Sequence, residues 1–558
     1  MTNSPKRPNF LLIVVDDMGY SDCEPFGGEI HTPNLTTLAQ EGVRCRHFYT
    51  SSLCAPTRSL LLTGVDNHLN GLGAMPPMHA MNQFMQPGYE GTLNGTVATI
   101  AELLGDAGYY TCMAGKWHLG LNDGQRPEDR GFDRVFSFLG GGASHFSDAR
   151  VLSPTERPHT RYDEDGRDVT HALPADFYST ASYTGKMIDF LRAKPQDQPF
   201  FGYLAYTAPH DPLQVPDEWL DRYKGRYDDG YPAMKEARTR RMKSIGLISP
   251  DMDINPGTDY FEKWEDLSAE ERRSQARKME ICAAMIELLD EGIGKVIGHL
   301  KETGEYDNTF ILFMSDNGAN PKDPHFYSGL GAEKIEDVFD NSWDNMGRIG
   351  SFISIGGAWA EACNTPLSYF KLTTAEGGVQ VPLIVSGPGV KRRGIVTDQL
   401  LHATDVLPTL LDFSGVERPA IRNGHPLAPL YGRSWRAFLE MTSSQPVRGH
   451  YDALAFEMSE CKAVIKGDWK ILFMAPPYGE NEWHLFHLRE DPQELNNVAA
   501  EHPAKLAELL AEWEAYSTAV GYIAASADPV LAHMSAEEFF DRYGFTETPV
   551  RETTGGKA

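Results

Sequence analysis

The chain has 558 residues, of which 41% are hydrophobic and 23% are charged, and its formal net charge is −27. This balance argues against a nucleic-acid-binding protein, which would show a basic surface, and a chain of this length is expected to form two domains. No apolar run approaches the roughly 20 residues of a membrane span and no signal-peptide pattern is seen, so we expect a cytoplasmic protein with no membrane partner.

Short apolar runs alternate with helix-like segments over residues 1–444, a pattern typical of an α/β domain. Residues 9–15 lack polar alternation and are predicted to form a central strand buried on both faces. Further strands are predicted at 110–113, 200–206, 309–314 and 382–385, and helices at 33–42, 96–107 and 278–300. We therefore expect a large, mostly parallel (mixed) central sheet flanked by helices.

Two parts of the chain depart from this alternation. Residues 217–277 are charged and poor in strand signals, so they are predicted to form a helical and loop insertion within the α/β domain at 1–444. Residues 445–558 contain strand-like segments at 453–458, 461–465, 469–473 and 483–488, followed by an amphipathic helix at 503–516. We expect this region to form a C-terminal α+β subdomain, a small antiparallel sheet carrying a helix.

Oxygen-bearing side chains follow two of the predicted strands. Asp16 and Asp17 end the first strand, and Asp316 and Asn317 follow the strand at 309–314. Neighbouring parallel strands would bring both ends to one edge of the sheet. An isolated Asp-Asp pair could instead cap a turn, but the four side chains together suit a hard divalent cation. Calcium is favoured over magnesium, and zinc is disfavoured because histidine and cysteine ligands do not predominate.

The seven cysteines are odd in number and include no CxxC pair, so neither a disulfide framework nor a cysteine-rich zinc site is expected. Cys54 differs from the others because Arg58 follows it on the first turn of a predicted helix. The guanidinium group and the helix N-terminus would both favour an anion near residue 54. For a lone cysteine, a buried structural role before a proline turn would be the better interpretation.

The segment Cys54-Ala55-Pro56-Thr57-Arg58 resembles the C-x-P-x-R core of the formylglycine-dependent (type I) sulfatases of the alkaline phosphatase superfamily. Further segments resemble other signatures of that family: DDMGYSD at 16–22, AGKWHLG at 114–120, SDNG at 315–318, EGGVQVP at 376–382 and GDWK at 467–470. The resemblance spans nearly the whole chain, and it is closest to bacterial cytosolic arylsulfatases.

The resemblance implies a sulfuric ester hydrolase that cleaves sulfate monoesters to an alcohol or phenol and inorganic sulfate. A formylglycine-generating maturation enzyme would oxidise Cys54 to Cα-formylglycine, whose gem-diol would attack sulfur and form a covalent sulfo-enzyme intermediate. One calcium ion would be held by the modified residue 54 together with Asp16, Asp17, Asp316 and Asn317.

The resemblance also implies roles for cationic and proton-transferring side chains. Arg58 would stabilise the modified residue, and Lys116, His210 and Lys371 would bind the substrate. His210 and Lys371 are candidates for assisting the leaving group, whereas His118 would take a proton from the second hydroxyl of the diol and so expel sulfate. Lys116 and His118 flank a single residue, and they share one face only if the chain is extended there.

Two alternatives remain at this stage. A phosphonate monoester or phosphodiester hydrolase could use the same formylglycine site, since phosphorus and sulfur esters share tetrahedral shape and in-line displacement. A catalytically silent calcium-binding homologue would keep the fold without turnover, although none of the expected site residues is missing.

Overall fold

A mixed sheet of ten strands forms the centre of the fold. The computed structural model describes residues 6–76, 78–151, 160–323 and 332–526, with the side chains of 332–334 excepted. The last part of the expected C-terminal subdomain, 527–558, lies outside the described residues. The strands of this sheet are β1 Asn9–Asp16, β2 Val43–Tyr49, β3 Tyr110–Lys116, β4 Arg134–Phe138, β5 Tyr162–Glu164, β6 Arg167–Asp168, β7 Phe200–Pro209, β8 Thr309–Ser315, β9 Leu383–Ser386 and β10 Ile395–His402.

The order of the strands is β10-β2-β9-β8-β1-β7-β3-β4-β5-β6. Strand β1 pairs in parallel with β8 and β7, and β3 pairs in parallel with β7 and β4. Strand β9 is antiparallel to both of its neighbours, and β5 and β6 form an antiparallel edge. The prediction of a mixed central sheet is therefore confirmed, and the carboxyl ends of β1, β3, β7 and β8 meet at one edge.

Helices cover both faces of the sheet, as expected for an α/β fold. Alternate residues of β1 point to opposite sides: Leu11, Ile13 and Val15 pack into one core, and Phe10, Leu12 and Val14 into the other. This two-sided burial explains why the strand has no polar residue from Phe10 to Val15. The helices are α1 Pro33–Glu41, α2 Cys54–Thr63, α3 Asn67–Asn70, α4 Ile100–Asp106, α5 Ser179–Ala193, α6 Gly230–Ser244, α7 Ala269–Glu302, α8 Ala332–Val338, α9 Gly357–Cys363, α10 Glu376–Val379, α11 Val406–Ser414, α12 Arg436–Leu439 and α13 Pro503–Val520.

Helix α7 begins at Ala269, earlier than the predicted residue 278. Ser268 and Glu271 form a capping box there: Ser268 Oγ accepts from the Glu271 amide at 3.2 Å, and the Glu271 carboxylate accepts from the Ser268 amide at 2.8 Å. The last part of the predicted insertion is therefore helical. In the part of the chain that the structure describes, no helix is long and apolar enough to cross a membrane.

A small four-stranded antiparallel sheet follows near the C-terminus, as predicted. Its strands pair in chain order: β13 Ala453–Met458, β14 Cys461–Lys466, β15 Trp469–Phe473 and β16 Trp483–His487, and a separate hairpin is formed by β11 Ile421–Arg422 and β12 His425–Pro426. Helix α13 packs on one face of the small sheet through Leu509 and Trp513. The other face packs against Tyr49 and Val379 of the large α/β unit. The small sheet thus has one face for its helix and one for the main body.

Candidate active site

Four oxygen-bearing side chains meet where β1 and β8 end. The parallel register of the strands places Val15 opposite Ser315, so Asp16 and Asp17 lie beside Asp316 and Asn317. The Asp17 amide donates to Asp316 Oδ1 at 3.3 Å, and the next amide along the chain donates to the Ser315 hydroxyl at 3.0 Å. These bonds hold Asp17 at φ 67°, a left-handed conformation that a non-glycine residue adopts at a cost and that is often found at functional sites.

Two of these buried oxygens lack a partner. Asp16 Oδ1 and Asn317 Oδ1 accept no hydrogen bond from any residue that the structure describes. Burying an unpaired oxygen is unfavourable, so a cation at this point would remove a real cost. Donor atoms of Asp16, Cys54 and Asp316 also lie within 4.8 Å of one another. The donor set is rich in oxygen and fits a hard divalent cation.

Two lysine ammonium groups compensate the carboxylates that end β1. Lys116 Nζ, at the end of β3, donates to Asp16 Oδ2 at 2.6 Å. Lys371 Nζ donates to both oxygens of Asp17, at 2.7 and 2.9 Å. Burial lowers the pKa of Lys371, but the negative charge of Asp17 outweighs this effect and raises the pKa above its ordinary value. Lys371 is therefore fixed as a cation beside Asp17, and Lys116 lies against Asp16.

Cys54 is the first residue of α2, and Arg58 lies one turn later on the same helix. The guanidinium of Arg58 donates through Nε and Nη2 to Asp316 Oδ2, at 3.0 and 2.7 Å, and through Nη1 to the carbonyl oxygen of Lys116 at 3.0 Å. Cys54 is only 2% exposed, and burial raises the pKa of its thiol. An unmodified Cys54 would therefore be a protonated thiol, which is a weak nucleophile.

His118 approaches Cys54 from the segment after β3. Its Nδ1 lies 3.3 Å from Cys54 Sγ. The strand ends at Lys116 and His118 has φ 58°, so a left-handed turn, and not an extended chain, brings Lys116 and His118 to the same site. Burial lowers the pKa of His118 well below its usual value, and the charges of Lys116 and Arg58 lower it further. A neutral imidazole is therefore available to accept a proton beside residue 54.

His210 follows β7 and faces the end of β1. Its Nε2 lies 3.5 Å from Asp17 Oδ2. Burial lowers the pKa of His210, but Asp17 and Asp16 outweigh this and raise it above the ordinary value. A cation or a proton donor is thus placed beside the carboxylates of Asp17 and Asp16.

Asp211 is a site residue that the sequence did not reveal. Its Oδ1 lies 3.0 Å from His210 Nδ1, and its carbonyl oxygen lies 2.7 Å from the same nitrogen. Its other carboxylate oxygen accepts from the Ser354 hydroxyl and from Asn320 Nδ2. Both donors are more than 100 positions away in the chain, so no local pattern pointed to this arrangement. Asp211 fixes the ring of His210 with Nε2 toward Asp17.

The structure brings all ten predicted site residues into one buried cluster. Direct contacts join them as described above: Asp16, Asp17, Cys54, Arg58, Lys116, His118, His210, Asp316, Asn317 and Lys371. Burial lowers the pKa of Lys322, and the positive charge of Lys371 lowers it further. Neither Lys322 nor Asp211 lies in a segment with a recognisable motif.

Comparison with known proteins identifies the family to which this chain is similar. The model of the Sulfatase family matches residues 8–416, and the model described as N-sulphoglucosamine sulphohydrolase, C-terminal, matches residues 369–514. An arylsulfatase of Klebsiella aerogenes is 44% identical over 433 residues, covering 77% of this chain and 92% of the relative. An uncharacterized sulfatase of Schizosaccharomyces pombe is 40% identical over 541 residues, covering 95% of this chain and 97% of the relative.

Solved structures share the fold across nearly the whole chain. The crystal structure of Ps i-CgsB has a TM-score of 0.65 at 24% identity and covers 97% of this chain and 98% of its own. The PsFucS1 sulfatase from Pseudoalteromonas sp. has a TM-score of 0.60 at 20% identity and covers 92% of this chain and 90% of its own. At these identities the likeness concerns the fold alone.

Proposed function

This chain belongs to the sulfatase family and is a sulfate ester hydrolase, and we propose that its nucleophile is made from Cys54. The observation that carries the proposal is the position of Cys54, which lies at the N-terminus of α2 beside two carboxylates, those of Asp16 and Asp316, an arginine and a neutral histidine. As a buried thiol it is poorly activated, which fits a precursor that is oxidised before it acts. The proposed active form is Cα-formylglycine.

We propose that one calcium ion is held by residue 54 and by Asp16, Asp17, Asp316 and Asn317. The unpaired oxygens of Asp16 and Asn317 support this ligand set. When bound, the ion would supply positive charge for an oxygen nucleophile on residue 54 and for the sulfate group. Magnesium is the alternative, and it demands a more nearly octahedral set of oxygens.

The cations around this set would bind the sulfate and orient it. Lys116 and Lys371 each hold one carboxylate at the end of β1 and present positive charge to the same space. Arg58 fixes Asp316 behind residue 54 and adds a third charge. These groups oppose the adverse field of a chain with a net charge of −27, so an anionic substrate meets a locally cationic site.

Two histidines would divide the proton transfers. His210 has a raised pKa and a ring held by Asp211, so it suits donation of a proton to the leaving oxygen. His118 has a lowered pKa and lies beside residue 54, so it suits acceptance of a proton from that residue when sulfate is released. Opposite pKa shifts in neighbouring groups are the usual sign of separate acid and base roles.

Aryl sulfates are the proposed substrate class. The arylsulfatase of Klebsiella aerogenes, at 44% identity, supports this choice. The test is a comparison of kcat/KM for nitrophenyl sulfate with that for the matching nitrophenyl phosphonate, using mature enzyme. A clear preference for the sulfate is expected, whereas a strong preference for the phosphonate would favour the phosphonate monoester hydrolase instead.

Three further proposals concern the setting of the enzyme. A formylglycine-generating maturation enzyme is the proposed partner, because Cys54 must be oxidised before turnover.

A cytoplasmic location is proposed, and seven buried cysteines without a disulfide support a reducing compartment. We also propose a catalytic domain at 1–444, with an insertion at about 217–277, and a C-terminal subdomain at 445–558, which the antiparallel pairing of β13 to β16 supports.

A further inference from the structure

A cavity of about 450 Å³ lies outside the cluster around Cys54. It is bounded by α6, the loop at 255–260, α9 with the segment that follows it, and the loop after β16. None of the ten proposed active-site residues lines it. Its volume falls in the range of small-molecule pockets, roughly 300 to 1,000 Å³, so it could hold a ligand of its own.

Lys235 of α6 supplies the first sign of a ligand. Its side chain lines the cavity and the residue is only 8% exposed. Its ammonium nitrogen faces Gly257, and the carboxylate of Glu361 is the charge that acts on it. Burial lowers the pKa of Lys235, and the negative charge of Glu361 raises it again only in part. A largely buried cation whose charge is only partly compensated is unfavourable, and a polar ligand group would relieve that cost.

Glu361 of α9 faces the same space. It is 8% exposed, its carboxylate accepts from the Thr258 amide at 3.1 and 3.2 Å, and burial raises its pKa. The hydroxyl of Thr258 is buried and has no partner among the described residues. Gly257 keeps the gap open, because a Cβ there would lie 2.7 Å from Glu361 Oε2 and 2.9 Å from Lys235 Nζ. An ammonium, a carboxylate and an unpartnered hydroxyl therefore line the same cavity.

We propose that this cavity binds a neutral, hydroxyl-rich ligand such as a sugar ring, with one hydroxyl bridging Lys235 and Glu361. A hydroxyl can accept from an ammonium and donate to a carboxylate at the same time, whereas a carboxylate or sulfate group only accepts and an ammonium group only donates. The Thr258 hydroxyl takes a second polar group of the ligand. Tyr260, which is half exposed at the cavity, offers an aromatic face to the apolar side of the ring.

The charges of the lining favour a neutral ligand over a sulfated one. Glu361, Glu494 and Asp259 contribute carboxylates, whereas Lys235 is the single ammonium of the lining. Glu494 is paired with Lys470, which lies outside the lining. The excess of negative charge in the cavity would repel an anion, whereas it would not repel a neutral ring. The cavity is thus distinct in chemistry from the cationic site around Cys54.

The test is to titrate the full-length enzyme separately with galactose, N-acetylglucosamine, lactose and sodium sulfate. Binding is measured by isothermal titration calorimetry and by saturation-transfer NMR. At least one neutral sugar is expected to bind with a Kd below about 10 mM. Lys235→Met and Glu361→Gln should weaken that binding at least tenfold and Thr258→Val less. Lys263→Met, which changes an exposed lysine outside the lining, should leave it unchanged.

A crystal soaked in the bound sugar gives a readout that needs no variant. The ring should appear beside Gly257, with one hydroxyl between Lys235 and Glu361. The proposal is overturned if no neutral sugar binds, if Lys235→Met and Glu361→Gln bind it as the wild type does, or if it is found elsewhere. Sulfate binding that is lost in Lys235→Met would overturn the assignment of a neutral ligand.

Discussion

Cys54 Sγ lies 3.3 Å from Nδ1 of His118, although the two residues are 64 positions apart. Two local features produce this contact. Residue 54 lies at the start of α2, and the left-handed backbone conformation of His118, after β3, turns its imidazole toward residue 54. Because burial and two neighbouring cations hold His118 neutral, the pair consists of a group that must lose a proton and a group that can take it.

His118→Ala is expected to slow sulfate release more than the first chemical step. Removing a general base typically lowers a rate by about 10² to 10⁴. Pre-steady-state mixing with nitrophenyl sulfate should therefore show a burst of nitrophenol followed by a kcat reduced by that order. His484→Ala, which changes a histidine of β16 far from the cluster, should keep the wild-type kcat. A His118→Ala enzyme without a burst but with slow first turnover would place His118 in the first step instead.

Arg58→Met should destabilise the protein as well as inactivate it. Arg58 and Asp316 are fully buried and form an ion pair at 2.7 Å, and removing one partner of such a pair costs about 3 to 5 kcal/mol. The free energy of unfolding, measured in urea without calcium, should fall accordingly. The double variant Arg58→Met/Asp316→Leu should recover much of the loss without recovering activity.

The matched control for this pair is Arg192→Met on α5. Arg192 and Asp189 are mostly exposed, so their pair should contribute less than about 1 kcal/mol. Equal losses of stability in the buried and the exposed variants would contradict the role given to Arg58.

Calcium is expected to raise the Tm of the protein through the unpaired oxygens of Asp16 and Asn317. A ligand at a hundred times its Kd stabilises a protein by about 2.7 kcal/mol. Differential scanning fluorimetry after EGTA treatment, with calcium or magnesium added back, should show the larger rise for calcium. Asn317→Leu should lose most of that rise, whereas Asn496→Leu, at an exposed position, should keep it. An equal calcium effect in both variants would remove Asn317 from the ligand set.

Asp211→Asn should lower kcat to a degree that depends on the leaving group of the substrate. The substitution removes the carboxylate that lies 3.0 Å from His210 Nδ1, while the carbonyl contact remains. We expect kcat to fall about tenfold for an alkyl sulfate and less for nitrophenyl sulfate, because a poorer leaving group depends more on proton donation. Asp176→Asn, at an exposed position, is the control. The same loss for both substrates would mean that Asp211 acts on folding and not on the proton donor.

Stability should depend on pH through His68, which joins the main body to the small sheet. Its ring lies 3.0 Å from Asp66 Oδ1 and 2.8 Å from Glu457 Oε2 of β13. Burial lowers the pKa of His68, but these two carboxylates outweigh it and raise the pKa to about 9. A raised pKa adds stability that is complete below about pH 6.5 and is lost as the pH rises through about 9.

His68→Gln tests this dependence. The variant should be less stable than the wild type by about 3 kcal/mol at pH 6, and the difference should shrink above pH 9. Urea unfolding at pH 6, 8 and 10 measures it, with His484→Gln as the control. A difference that grows with pH would mean that His68 is neutral in the folded protein.

The sequence predicted the centre of the sheet well, because β1 is apolar at every position from Phe10 to Val15 and both of its faces are buried. It did not predict β2. That strand alternates with polar residues, Arg44 and Arg46, which lie on its partly exposed side and break the apolar run. Edge and near-edge strands carry fewer apolar positions than central ones, so their pattern is weaker.

The candidate site was predictable where its residues stand in short motifs at strand ends, as with Asp16 and Asp316. It was not predictable where a residue owes its place to distant parts of the chain. Asp211 depends on Asn320 and Ser354, and the turn that brings His118 to Cys54 depends on a positive φ that no propensity indicates. Side-chain position at such points follows from tertiary packing.

Mass spectrometry of the peptide that carries residue 54 tests whether this residue acts as Cα-formylglycine. Active enzyme purified from its own host should yield a peptide that has lost one sulfur and two hydrogens and gained one oxygen, and Cys54→Ala should have neither that aldehyde nor activity. Fully active enzyme whose residue 54 is entirely the unmodified thiol would contradict the account.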